Sequence, residues 1–223
     1  MRQGDDEWLL TAEGRAKLPP ANDARSRIIR RGLGLDANAT RVQISAPVLS
    51  AIRELPPVRL PDPLPRLLLA DDSEDAWAVT PLGGVQPVSP LQKQLLIDAA
   101  APASTTSPSQ IAAYPDAQEP LDISVPDEAP EWIDPDGKAV CASETGAVAV
   151  VDAGSGALTT GAVELSGDSP ATHFAGLAAG AVGVDTGSGY HVVSATGQRH
   201  VADAKETLDI VGAAHVDSVP WSI

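Results

Sequence analysis

The chain has 223 residues, 43% hydrophobic but only 3% aromatic, so it builds an aliphatic core and is not a disordered polymer. Its net charge of −15 is uneven: residues 1–60 hold ten Lys/Arg against seven Asp/Glu, and residues 61–223 hold five against twenty-three. A surface that acidic excludes nucleic acid and anionic lipid head groups as partners, and no apolar run reaches the roughly 18 residues of a membrane span. The opening Met1-Arg2-Gln3-Gly4-Asp5-Asp6 is not followed by the apolar stretch of a signal peptide.

Taken in chain order, residues 5–60 read as a hairpin followed by a helix. Trp8-Leu9-Leu10-Thr11, then Gly14, then Ala16-Lys17-Leu18 give an aromatic, a short strand, a glycine turn and a second strand. Asn22 or Asp23 caps a helix through Ile28 and Ile29 that Gly32 or Gly34 ends. Arg25, Arg27, Arg30 and Arg31 on it form a basic cluster that reads as a solvated helix face, with anion binding as the alternative. An apolar stretch, Val42-Gln43-Ile44, precedes a final helix over Val48 to Ile52. Residues 61–74, continuing the prolines that start at Pro56, read as a stiff linker.

Residues 75–115 repeat the unit. Trp77-Ala78-Val79-Thr80, Gly83-Gly84 and Gln86-Pro87-Val88 form the hairpin, and Ser89-Pro90-Leu91-Gln92 starts a helix as a capping box. Leu91, Leu95 and Leu96 share its apolar face. Residues 101–110 read as a flexible surface loop, and residues 116–136 as a proline-rich acidic strap. Residues 137–185 predict a β-rich centre, with strands at 139–143, 147–151 and 162–165. Residues 186–223 are a third unit: Tyr190 to Ser194, Gly197, Arg199-His200-Val201, a capping box Asp203-Ala204-Lys205-Glu206, and apolar Leu208, Ile210 and Val211.

A hairpin with one helix buries too little apolar surface to stand alone. The expected fold is therefore α+β: small hairpin-plus-helix repeats packed around a central β-rich domain, elongated. Trp8, Gly14, Trp77, Gly84, Tyr190 and Gly197 are the expected repeat anchors.

The search for reactive chemistry assigns no catalytic, cofactor-binding or metal residue. Gly154-Ser155-Gly156 and Gly187-Ser188-Gly189 lack the lysine of a phosphate loop and read as turns. Asp185-Thr186-Gly187-Ser188 has the form of an aspartic-protease loop, but a single copy needs a homodimer to share its proton. His191 and His200 lie on paired strands, where they are expected to face one another; with His173 and His215 they offer no zinc-binding spacing. Cys141, the one cysteine, reads as a buried hydrophobe. Trp132 and Trp221 fall outside the repeat pattern and are candidate contact residues.

Three stretches together resemble the EccB family of type VII (ESX) secretion systems. Residues 77–90 resemble that family's strand, its "dGVQPV" turn and its helix start; Ala139-Val140-Cys141 resembles its "pVC" strand; Tyr190 to Val201 resembles its "yLVtdtGvrypV" segment. The resemblance implies a structural component of the secretion membrane complex, working as an assembly scaffold on the extracytoplasmic side. Implied partners are EccC, EccD, EccE and the mycosin protease, with self-association. Membrane attachment is implied only through a segment outside these residues. The family cysteine at Cys141 is normally disulfide-bonded, and its mate is missing. The chain therefore reads as a fragment or a shortened member. A hydrolase, through the ATPase activity ascribed to the family or through Asp185, and a cell-wall binding module are the alternatives.

Overall fold

A computed structural model describes residues 1–35, 40–143, 145–156, 162–165, 171–175, 181–213 and 216–219. They form two units. One comprises residues 1–16, 41–55 and 134–223, the other residues 17–40 and 56–133.

The second unit holds the most complete repeat. Strands β4 (Arg66–Ala70), β5 (Ala76–Val79), β6 (Val85–Val88) and β7 (Ala103–Thr106) form a sheet in the order β6-β5-β4-β7, with β7 parallel to β4. Helix α3 (Pro90–Asp98) joins β6 to β7 as the crossover that a parallel pair requires. Its start is built as the sequence predicts: the Ser89 hydroxyl accepts from the Gln92 N–H, and the Ser89 N–H donates to the Gln92 amide oxygen. Leu95 and Leu96 are fully buried. Leu68, Ala70, Val85 and Ile111 form a core that Trp77, Val79 and Tyr114 complete.

The third repeat has the same topology. Strands β12 (Ala181–Asp185), β13 (Tyr190–Ser194), β14 (Arg199–Ala202) and β15 (Val216–Ser218) run in the order β14-β13-β12-β15, and β15 is parallel to β12. Helix α5 (Lys205–Ile210) follows β14 and packs on β13 and β14. The first repeat is a thinner version. Strands β1 (Arg2–Gln3), β2 (Asp6–Thr11) and β3 (Gly14–Lys17) form a sheet in chain order, and Gln43 makes a parallel bridge to Arg2 where β7 and β15 stand in the others.

After the parallel strand, the first two repeats send the chain back across the open hairpin edge. Helix α2 (Ala46–Ala51) leads to Glu54, bridged to Arg15 of β3; helix α4 (Pro108–Ile111) leads to Asp116, bridged to Val85 of β6. Gln43 and Thr105 hold matching places, opposite Arg2 and Leu69. Glu54 follows Gln43 by eleven positions, as Asp116 follows Thr105. Covering the edge removes a site for unwanted strand pairing.

Among the described residues, the β-rich centre comprises two ribbons, β8 (Lys138–Ala142) with β9 (Val148–Asp152), and β10 (Ala162–Glu164) with β11 (His173–Ala175). The β8–β9 turn docks on the first repeat, where Arg53 N–H donates to the Gly146 carbonyl at 2.9 Å and Val148 N–H donates to the Ala12 carbonyl at 3.0 Å. Phe174 of the second ribbon and Leu165, just after β10, cover the Val182, Val184 and Val193 core of the third repeat.

Four expectations are corrected. The stretch 61–74 is not only linker, because it contains β4, an inner strand of its sheet with Leu67 and Leu68 fully buried. Such a short apolar run buried on both faces lacks the alternation of a surface strand. Residues 101–110 are not one loop, since they contain β7 and the start of α4. The 137–185 segment includes β12, which pairs with β13 and so belongs to the third repeat. The first repeat does not stay together: α1 (Ala24–Gly32), capped by Asp23 as expected, lies in the second unit and packs on α3. The missing Cβ of Gly32 admits the Leu95 side chain there.

Candidate functional site

The repeat anchors show how each unit is assembled. Trp8 is buried and exchanges backbone hydrogen bonds with Met1; its ring lies 5.0 Å from the Arg15 guanidinium. Arg15 also donates to the Leu49 carbonyl at 2.8 Å and to Glu54 at 2.9 Å, tying β3 to α2. Trp77 faces Leu68 across the sheet. Both tryptophans stand three positions before the threonine that opens the hairpin turn, Thr11 or Thr80. The third turn opens at Ser194, so the matching residue is His191, not Tyr190. His191 faces Val184 as Trp77 faces Leu68, and it is 3% exposed. Tyr190 is half-buried one place earlier, in the position of Ala76.

The glycines are corrected in the same way. Thr80 N–H donates to the Gly84 carbonyl and Ser194 N–H to the Gln198 carbonyl, so Gly83, not Gly84, is the counterpart of Gly197. Gly83 and Gly197 have φ of +83° and +75°, the left-handed turn position that favours glycine. Gly84 serves close approach instead: a Cβ there would lie 2.9 Å from the Ala117 Cα. Gly14 likewise leaves room for the Arg53 carbonyl.

His191 and His200 do not face one another. His191 opposes Val201, and His200 opposes Val192, so the two rings lie on opposite faces of the sheet. Burial, then the nearby Arg199, pushes the His191 pKa down. His215 and Trp221 lie outside the described residues. The third helix begins at Ala204, which has no side chain to cap it, in place of the expected capping box from Asp203. Leu208 is buried, whereas Ile210 and Val211 are exposed.

Asp185 ends β12, and its carboxylate accepts from the Gly187 N–H at 2.8 Å, which makes it the residue that shapes the hairpin entry turn. Cys141 is a free, half-buried thiol on β8, with its pKa pushed up by burial. Among the described residues no group of His, Cys, Asp and Glu is placed to hold a metal ion, and no helix is long and apolar enough to cross a membrane.

The acidic strap is held along its length to the second unit. Val85 N–H donates to the Pro115 carbonyl, and Ala117 N–H donates to the Val85 carbonyl. Leu121 N–H donates to the Gln86 side chain at 2.6 Å, and Gln92 donates to Asp127 at 3.0 Å. Arg59 pairs with Asp122, and the Trp132 indole donates to the Leu33 carbonyl at 2.8 Å, at the end of α1. Trp132 and Ile133 remain 47% and 59% exposed.

No protein-family model matches the chain, and no curated protein sequence matches it. Solved structures do. The periplasmic assembly from the ESX-5 inner membrane complex superposes with a TM-score of 0.66 at 21% identity, over 100% of this chain and 64% of that one. An intact ESX-5 inner membrane complex gives 0.66 at 22%, over 100% and 54%. The EccB3 dimer from the ESX-3 core complex gives 0.65 at 23%, over 96% and 65%. The chain has the EccB periplasmic fold. The resemblance carried by residues 77–90 and 190–201 is thus borne out as a likeness of fold, along with the α+β class. The chain spans 54–65% of the length of these EccB-fold chains.

Proposed function

We propose that this chain is an extracytoplasmic scaffold of a type VII (ESX) secretion membrane complex. The observation that carries the reading is the superposition over the whole chain on chains of ESX inner membrane complexes. Its chemistry suits contact over catalysis, because the side chains that the fold places with most care are turn glycines, caps and ring anchors. Exposed apolar residues supply material for contacts: Trp132 and Ile133 on the second unit, and Val201, Ile210 and Val211 on the third repeat. The partners are EccC, EccD, EccE and the mycosin, together with a second copy of the chain, since a solved EccB-fold neighbour is a dimer.

Affinity purification of the tagged protein from detergent-solubilised native membranes tests this reading. The expected outcome is co-purification of the other ESX membrane components, with loss of substrate secretion when the gene is deleted. Recovery of the protein free of every ESX component, with secretion intact in the deletion strain, overturns it.

A further inference from the structure

The hairpin edges of the first two repeats are covered in the same way. Arg15 N–H donates to the Arg53 carbonyl and Leu55 N–H donates to the Arg15 carbonyl, both at 2.8 Å. Val85 N–H donates to the Pro115 carbonyl and Ala117 N–H to the Val85 carbonyl, both at 2.9 Å. Each is a parallel bridge centred on an acidic residue, Glu54 or Asp116. Two places after Arg15, the Lys17 carbonyl accepts from Val58 N–H at 2.8 Å. The covering segments, residues 53–58 and 115–121, are not helical. Each carries proline after the bridge and then an aliphatic residue, Val58 or Leu121.

The third hairpin has the register of the second. His191 opposes Val201 as Trp77 opposes Pro87. Hydrogen-bonded and non-hydrogen-bonded pairs alternate along an antiparallel ladder. Ser194 N–H bonds the Gln198 carbonyl across the turn, so Val201, three places on, turns its own N–H and C=O away from β13. Strand β14 is at the edge of its sheet, and among the described residues no strand pairs with it on the outer side. At this place the covered edges carry Lys17 and Pro87, residue types that discourage strand addition. The third edge carries valine, a good strand former, and Val201 is 78% exposed. Ile210 and Val211 add exposed apolar surface at the end of α5, the helix that packs on β13 and β14.

We propose that β14 is a docking edge for a partner protein: an extended, proline-containing segment of the kind that covers β3 and β6 adds parallel to β14, bonds the Val201 backbone and covers the Val201 side chain. The two internal segments define what the occupant supplies. Its backbone bonds the outward groups of the edge, as in other strand additions. An aliphatic residue placed like Val58, which is buried on the first repeat, takes Val201 out of water. Proline lacks an N–H, so the added segment does not template a further strand, and addition stops at one. Docking at β14 does not depend on which complex the chain serves, because the three edges alone define it.

The test titrates the whole chain with two synthetic peptides, residues 50–60 and residues 113–123 of this sequence, each beside a scrambled control, and follows backbone amides by NMR. Saturable shifts at His200, Val201 and Ala202 that the scrambled peptides do not produce are expected. Val201→Pro should weaken binding by about tenfold, since it removes one outward N–H and sets a ring against the incoming strand. The variant should keep its fold, because Pro87 already holds this place opposite Trp77. If it does not fold, the wild-type shifts decide alone. Sedimentation of the chain without peptide tests a second copy as the occupant. Absence of shifts on β14 with both peptides, shifts that the scrambled peptides reproduce, or a concentration-dependent dimer that Val201→Pro abolishes would each overturn the proposal.

Discussion

A methyl group at Gly197 would meet the Glu164 carbonyl, and the position has φ of +75°. Both penalties act on Gly197→Ala: about 1 kcal/mol for the left-handed conformation, and more for displacing backbone from the β10 ribbon. Gly137, at φ of +65° with nothing within 4 Å, bears only the first. Chemical denaturation should therefore show Gly197→Ala losing about 2 kcal/mol or more and Gly137→Ala about 1 kcal/mol; equal losses would remove the docking role of this turn. At this scale the sequence was partly legible. Trp8, Trp77, Gly14 and Gly197 could be picked out because aromatics are scarce and turn glycines regular. Tyr190 stands out for the same reason, but the turn register sets His191, one place along, opposite Val184 as Trp77 stands opposite Leu68. Composition does not say which face of a strand points inward; register does.

Helix starts separate the second and third repeats. Ser89 and Gln92 satisfy two N–H groups of α3, whereas Ala204 satisfies none at α5 with its side chain. Ser89→Ala should cost about 1 kcal/mol, and Ala204→Ser should gain about 0.5 kcal/mol because the backbone at Ala204 is already extended, as a cap requires. Thermal midpoints moving in opposite directions would bear this out; a neutral or destabilising Ala204→Ser would refute it. The elements that sequence reading missed share one cause. Strand β4 sits among prolines and β7 in a run of Ser and Thr, so neither shows alternation or strong strand propensity. Each is a strand because a neighbour supplies its hydrogen bonds, β5 and β7 for β4, and β4 for β7.

For the molecule as a whole, the net charge of −15 dominates solution behaviour. Like charges repel within the compact state, so raising salt from about 0.05 to 0.5 M should raise the thermal midpoint by screening that repulsion. Solubility should be lowest near the isoelectric point of 4.4. A midpoint that falls with salt would mean that ion pairs such as Lys93–Glu74 outweigh the repulsion. The sequence alone determined the α+β class, the hairpin–helix recurrence, two helix caps and the acidic strap, because each rests on local chemistry: turn glycines, capping side chains and proline. Only the tertiary structure decided that the second and third repeats close with a parallel strand and the first with a parallel bridge, that α1 leaves its own hairpin to pack on α3, and that a histidine fills the third anchor slot. Those features depend on which distant backbone lies alongside and on which face is covered, and neither is encoded within a window of a few residues.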